Sequence, residues 1–153
     1  MNYELLLSQA QALMDPALPE VSNLANCAAL LFYGLEDVSW AGFYLARGET
    51  LFLGPFQGKT ACVRIPFDRG VCGAAARTRE TQLVPDVHAF PGHIACDSAS
   101  RSEIVIPLVR TDGSLFGVLD LDSTSLSRFT AADREGLEAL GRLLMHLLDR
   151  SGE

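Results

Sequence analysis

Ile104-Val105-Ile106-Pro107-Leu108-Val109, Thr111-Asp112-Gly113-Ser114 and Leu115-Phe116-Gly117-Val118-Leu119-Asp120-Leu121 read as two apolar runs joined by a turn. Asp-Gly at the join is the sequence of a tight hairpin, because glycine accepts the positive φ such a turn requires. The spacing predicts an antiparallel hairpin over 104–121.

Outward from this hairpin the texture changes at both ends. Leu6, Ala10, Leu13 and Met14 share one face of a helix predicted over about 2–14, which Pro16 and Pro19 end. A second helix starts at about Val21, with Val21, Leu24, Ala25, Ala28, Leu31 and Phe32 at helical spacing and Cys27 on the apolar side as a packing thiol. Short β-like runs follow at Val38–Ala46, Thr50–Phe56 and Ala61–Ile65, the first two joined through Arg47-Gly48-Glu49. A short helix is predicted from Val71 to Arg79, where Gly73 and three alanines let backbone or ligand approach. Thr130 and Asp133 form a capping box for a last helix carrying Leu137, Leu140, Leu144, Leu147 and Leu148. Helices at the ends and antiparallel strands between them give an α+β fold, a central antiparallel sheet flanked by N- and C-terminal helices, as a single domain over 1–153.

The chain has 153 residues, 48% of them hydrophobic and 20% charged, which suits one globular domain. No apolar run approaches the ~20 residues of a membrane span, and no secretion signal is found, so the expected compartment is the reducing cytosol. In that compartment four cysteines point to metal or redox chemistry rather than a disulfide framework. A net charge of −7 argues against nucleic acid, whose affinity rests on Lys and Arg.

Three of the cysteines, Cys62, Cys72 and Cys96, lie in the irregular stretch 62–103. Cys72 falls near a helix start, and Cys96 follows His93 and a glycine-bearing turn, each a source of thiolate stabilisation, whereas Asp97 opposes it. Thiols that meet support a cycle of sulfenic acid, disulfide and reduced thiol. A zinc site from Cys62, Cys72, Cys96 and His93 or His88 uses suitable donors but lacks the close ligand pairs of structural zinc.

Glu103 begins one hairpin strand, and Asp120 and Asp122 end its partner two residues apart, so all three carboxylates are expected on one face. Crowded carboxylates without a cation raise at least one pKa, which suits a proton donor or a grip on an ammonium group. Trp40, Gly42 and Tyr44 share one strand face, with Gly42 leaving a gap between two rings able to cradle a small apolar or cationic group.

Together the runs Trp40-Ala41-Gly42-Phe43-Tyr44, Gly54–Cys62, Gly70-Val71-Cys72-Gly73, Pro85–Asp97 and Ser102-Glu103-Ile104-Val105 resemble the free methionine-(R)-sulfoxide reductases, single GAF-domain enzymes. The resemblance implies thioredoxin-dependent reduction of free L-methionine-(R)-sulfoxide to L-methionine, with no bound cofactor or metal. It implies attack by Cys96, with Cys72 as the rival, and resolution by Cys62 or Cys72 as an intramolecular disulfide. Glu103, Asp120 and Asp122 would supply a proton and bind the substrate's ammonium, Trp40 and Tyr44 would hold the S-methyl end, and His93, Ile94 and Ala95 would close over the ligand. It also implies a homodimer. The competing reading is a non-enzymatic GAF module that binds a small molecule or senses oxidation through the same cysteines.

Overall fold

Two apolar clusters on opposite faces of one six-stranded antiparallel sheet organise this protein. The computed structural model describes residues 2–93 and 99–151. The sheet runs in the order β3-β2-β1-β6-β5-β4. Its strands are β1 (Trp40–Arg47), β2 (Thr50–Gly58), β3 (Arg64–Pro66), β4 (Gln82–Val84), β5 (Ser102–Val109) and β6 (Leu115–Ser123). Helices α1 (Tyr3–Leu13), α2 (Glu20–Gly34) and α4 (Ala131–Ser151) cover one face, and α3 (Gly70–Thr78) packs against the other. This is the expected α+β arrangement, with terminal helices flanking an antiparallel sheet.

The predicted hairpin forms as β5 and β6, with Gly113 at φ 90° in the turn. Period-two alternation then sorts its side chains. Ile104, Ile106, Leu108, Leu119 and Leu121 enter the helical core, whereas Val105 and Val118 enter the core beneath α3. Being buried on both faces, these are interior strands, and β1 lies beside β6 in the centre of the sheet.

The capping box at α4 is present: Thr130 N donates to Asp133 Oδ2 (2.8 Å) and Asp133 N to Thr130 Oγ1 (3.4 Å). Tyr3 and Arg128 donate to the same carboxylate, tying α1 to α4. Cys27 is buried among helical-core side chains, and burial pushes its thiol up to about 12. Three apolar assignments fail: Leu13, Val21 and Ala25 are exposed, because α1 and α2 turn narrower stripes to the core than the spacing implied. The strand expected over Ala61–Ile65 is reduced to Arg64–Pro66, and β4 and a 3₁₀ turn at Val87–Ala89 carry no periodicity long enough to read.

Candidate active site

Register decides which groups meet. In the β5–β6 ladder Glu103 faces Asp122 and Val105 faces Asp120, while in the β1–β6 ladder Trp40 faces Asp122 and Gly42 faces Asp120. Glu103, Asp120, Asp122, Trp40 and Tyr44 therefore lie on the α3 side of the sheet, and all five line one cavity of ≈ 50 Å³. Cys72 and His93 line it as well.

Helix α3 delivers Cys72. Gly70 starts the helix at φ 68°, and its N–H donates to the carbonyl of Gly92, so the 87–93 segment is held against the helix start. A Cβ on Gly73 would stand 2.8 Å from the carbonyl oxygens of Pro66 and Phe67. Glycine therefore permits the close backbone approach that seats α3 on the sheet. Cys72 Sγ then lies 3.4 Å from Asp120 Oδ2 and 4.0 Å from Glu103 Oε2.

Electrostatics follow from this crowding. Burial, then the neighbouring carboxylate Asp120, pushes Glu103 well above the ordinary carboxyl range. Asp120 is pushed up by burial and by the charge of Asp122. Cys72 is raised by burial first and then by Asp120, Glu103 and Asp122. The activation expected for Cys72 at a helix start is thus reversed: burial, together with three acidic neighbours, outweighs the first turn of a nine-residue helix, and the group is a thiol at neutral pH. His93 is lowered by partial burial and by His88, whose ring centroid lies 6.1 Å away, so it supplies no cation there at neutral pH.

The aromatic wall differs from expectation in one respect. A Cβ on Gly42 would meet Phe56 Cβ at 2.3 Å and the Trp40 ring at 2.8 Å, so the space beside Gly42 is filled. Trp40 stacks on Phe56 (5.2 Å) and on Tyr44 (5.9 Å). A β-bulge between Gly42 and Tyr44 moves Phe56 opposite Gly42, a position that unbroken pairing from Tyr44↔Leu53 would assign to Pro55. Phe56 was missed for that reason. Trp40 Nε1 donates to the Lys59 carbonyl (3.0 Å) and Tyr44 Oη to the Cys62 carbonyl (2.9 Å), which anchor both rings to the 59–62 segment.

Cys62 is disulfide-bonded, and Cys27 and Cys72 are free. Ile94, Ala95 and Cys96 lie outside the described residues. Among the described residues the cluster of metal-capable donors consists of Cys72, Glu103 and Asp120; the combination of Cys62 and Cys72 with His88 or His93 is not assembled.

Residues 10–149 match the family model for the GAF domain. The chain is 56% identical over 129 residues to the free methionine-R-sulfoxide reductase of Escherichia coli (strain K12), covering 84% of this chain and 78% of that protein. The chain belongs to the GAF-domain family of free methionine-R-sulfoxide reductases. The reductase of Saccharomyces cerevisiae is 46% identical, over 92% of this chain and 82% of that one. Among solved structures, the free methionine-R-sulfoxide reductase of Neisseria meningitidis in complex with its substrate superposes with a TM-score of 0.91 at 44% identity, covering 97% of this chain and 89% of that chain. Within this reductase family the cavity floor of this chain is a thiol and three carboxylates beneath an aromatic wall. No helix among the described residues is long and apolar enough to cross a membrane.

Proposed function

We propose that this protein reduces free L-methionine-(R)-sulfoxide to L-methionine, with electrons from thioredoxin in the cytoplasm. The observation that carries the reading is the buried Glu103–Asp120 pair at the base of the cavity, whose raised pKa values keep a proton available at neutral pH. The thiolate of Cys96 attacks the sulfoxide sulfur while this pair protonates the departing oxygen. Methionine leaves, and Cys96 keeps the oxygen as sulfenic acid. The Cys62 thiol condenses with it, releasing water and forming a disulfide that thioredoxin reduces by exchange. Sulfoxide and reduced thioredoxin thus give methionine, oxidised thioredoxin and water.

The disulfide-bonded state of Cys62 supports its assignment as the resolving residue. Cys72 is a poor nucleophile or resolver while held as a thiol by burial and by its acidic neighbours, and its part is to shape the floor. Glu103, Asp120 and Asp122 meet the substrate's α-ammonium, which a peptide-embedded residue lacks; Trp40 and Tyr44 face the S-methyl end, and His93 lines the same cavity, the parts of Ile94 and Ala95 being those that the family resemblance assigns. We assign the catalytic unit to 1–153 as one domain, acting without bound metal or prosthetic group and pairing as a homodimer.

The test is thioredoxin-coupled NADPH oxidation with the free R sulfoxide, the free S epimer and N-acetylated R sulfoxide in parallel. Turnover of the free R epimer alone is expected. No turnover with any sulfoxide would leave a small-molecule-binding or redox-sensing GAF module.

A further inference from the structure

Three donors of two chemical kinds converge under the cavity. The thiol of Cys72 and the carboxylates of Glu103 and Asp120 each offer an atom within 4.8 Å of the others, and the residues are 4%, 7% and 5% exposed. Asp120 uses Oδ2 to accept from the Cys72 thiol, whereas its buried Oδ1 meets no donor among the described residues other than a carboxyl proton shared within the Glu103–Asp120–Asp122 cluster. A cation that displaces this shared proton meets the oxygen in its place, since metal ligands bind deprotonated.

We propose that Cys72, Glu103 and Asp120 form a binding site for a thiophilic divalent cation, zinc(II) above all, that blocks the cavity when occupied. The donor set selects the ion. One sulfur and two carboxylate oxygens suit borderline-soft zinc, whereas magnesium and calcium take all-oxygen shells of six or more ligands. In a tetrahedral zinc site, with Zn–S about 2.3 Å and Zn–O about 2.1 Å, neighbouring donors stand roughly 3.5 Å apart. Cys72 Sγ is already 3.4 Å from Asp120 Oδ2 and 4.0 Å from Glu103 Oε2, so small side-chain rotations close the shell. All three donors line the cavity, whose space is where a fourth ligand such as water would bind. Metal binding displaces the thiol proton and any carboxyl proton to solvent. This ion is an inhibitor rather than a cofactor: it occupies the carboxylates assigned to the substrate's ammonium. That competition rests on the reductase reading, while the binding itself does not.

The experiment uses the full chain in its disulfide form, in which Cys62 is bonded and the described free thiols are Cys72 and the core residue Cys27. Cadmium(II) is titrated and its sulfur-to-metal charge-transfer absorbance followed, with zinc(II) binding measured by calorimetry. The expected result is a band saturating at one equivalent, lost in Cys72→Ser and unchanged in Cys27→Ser. Zinc affinity should fall about 10-fold or more in Cys72→Ser and in Glu103→Gln, with no competition from magnesium. Metal-free melting curves confirm that each variant folds. Absence of the band, or a band that survives Cys72→Ser, overturns the site. A protein that reduces the sulfoxide without showing the band sinks the metal site alone; one that shows the band without turnover sinks the reductase reading alone.

Discussion

The Cys72 thiol donates to Asp120 Oδ2 across 3.4 Å, joining helix α3 to strand β6 at the floor of the cavity. Burial first, and then the carboxylates that this contact sets beside it, raise the Cys72 thiol and disfavour the thiolate despite the helix start.

Alkylation should report this directly. With the disulfide reduced, iodoacetamide at neutral pH is expected to modify Cys96 well before Cys72, read by peptide mass spectrometry. Cys96→Ser should abolish turnover, and Cys72→Ser should still form the Cys62 disulfide after one equivalent of sulfoxide. Faster labelling of Cys72 would return the nucleophile's part to it.

Asp120→Asn should trade activity for stability. Because the folded pKa of Asp120 is raised, the native state binds more protons than the unfolded chain, and stability falls as pH climbs from the unfolded value toward the folded one. The variant removes that loss, so its melting temperature should exceed wild type at neutral pH by about 2–4 °C per kcal/mol relieved, with the gap vanishing at pH below the ordinary carboxyl range. Turnover should drop by about 10²–10⁴-fold through loss of the proton donor. Equal melting temperatures at pH 7 would refute the burial argument.

Asp133 carries the opposite sign. Burial alone would raise it, yet the hydrogen bonds from Tyr3 and Thr130 and the charge of Arg128 together hold it below the ordinary value. Its contribution is present above the unfolded pKa and is lost as pH falls through the folded one. Asp133→Ala should cost about 1–2 kcal/mol at neutral pH, measured by urea unfolding, and progressively less in acid.

Gly42→Ala tests the aromatic wall. A methyl group there meets Phe56 Cβ at 2.3 Å and its Cα at 2.9 Å, and the latter is backbone that cannot rotate away. A loss of about 1–3 kcal/mol is expected, together with altered Trp40 fluorescence. Unchanged stability would mean that the β1–β2 bulge absorbs the methyl group.

Local rules made much of the architecture readable from residues alone. Asp112-Gly113 marked the β5–β6 turn, Thr130 and Asp133 marked the start of α4, and the two-residue step from Asp120 to Asp122 put both carboxylates on one face. Each depends on neighbours a few positions apart, whose geometry the chain's own bond angles and periodicities set. Such signals thin out in short or irregular segments. Hence three-residue β4 went unread, and Leu13 and Val21 were misassigned to the core by spacing that real helices only partly bury.

By itself, then, the sequence determined the helices and the longer strands, the antiparallel pairing of 104–121 and the identity of the acidic groups. Tertiary structure alone decided that β1 lies between β2 and β6, that Cys72 drops onto Asp120 from a helix 48 positions away in sequence, and that Phe56 fills the space beside Gly42. The reason is physical. A side chain's titration and its room depend on what burial brings against it from distant strands, and a single bulged residue moves those partners without leaving a mark in local composition.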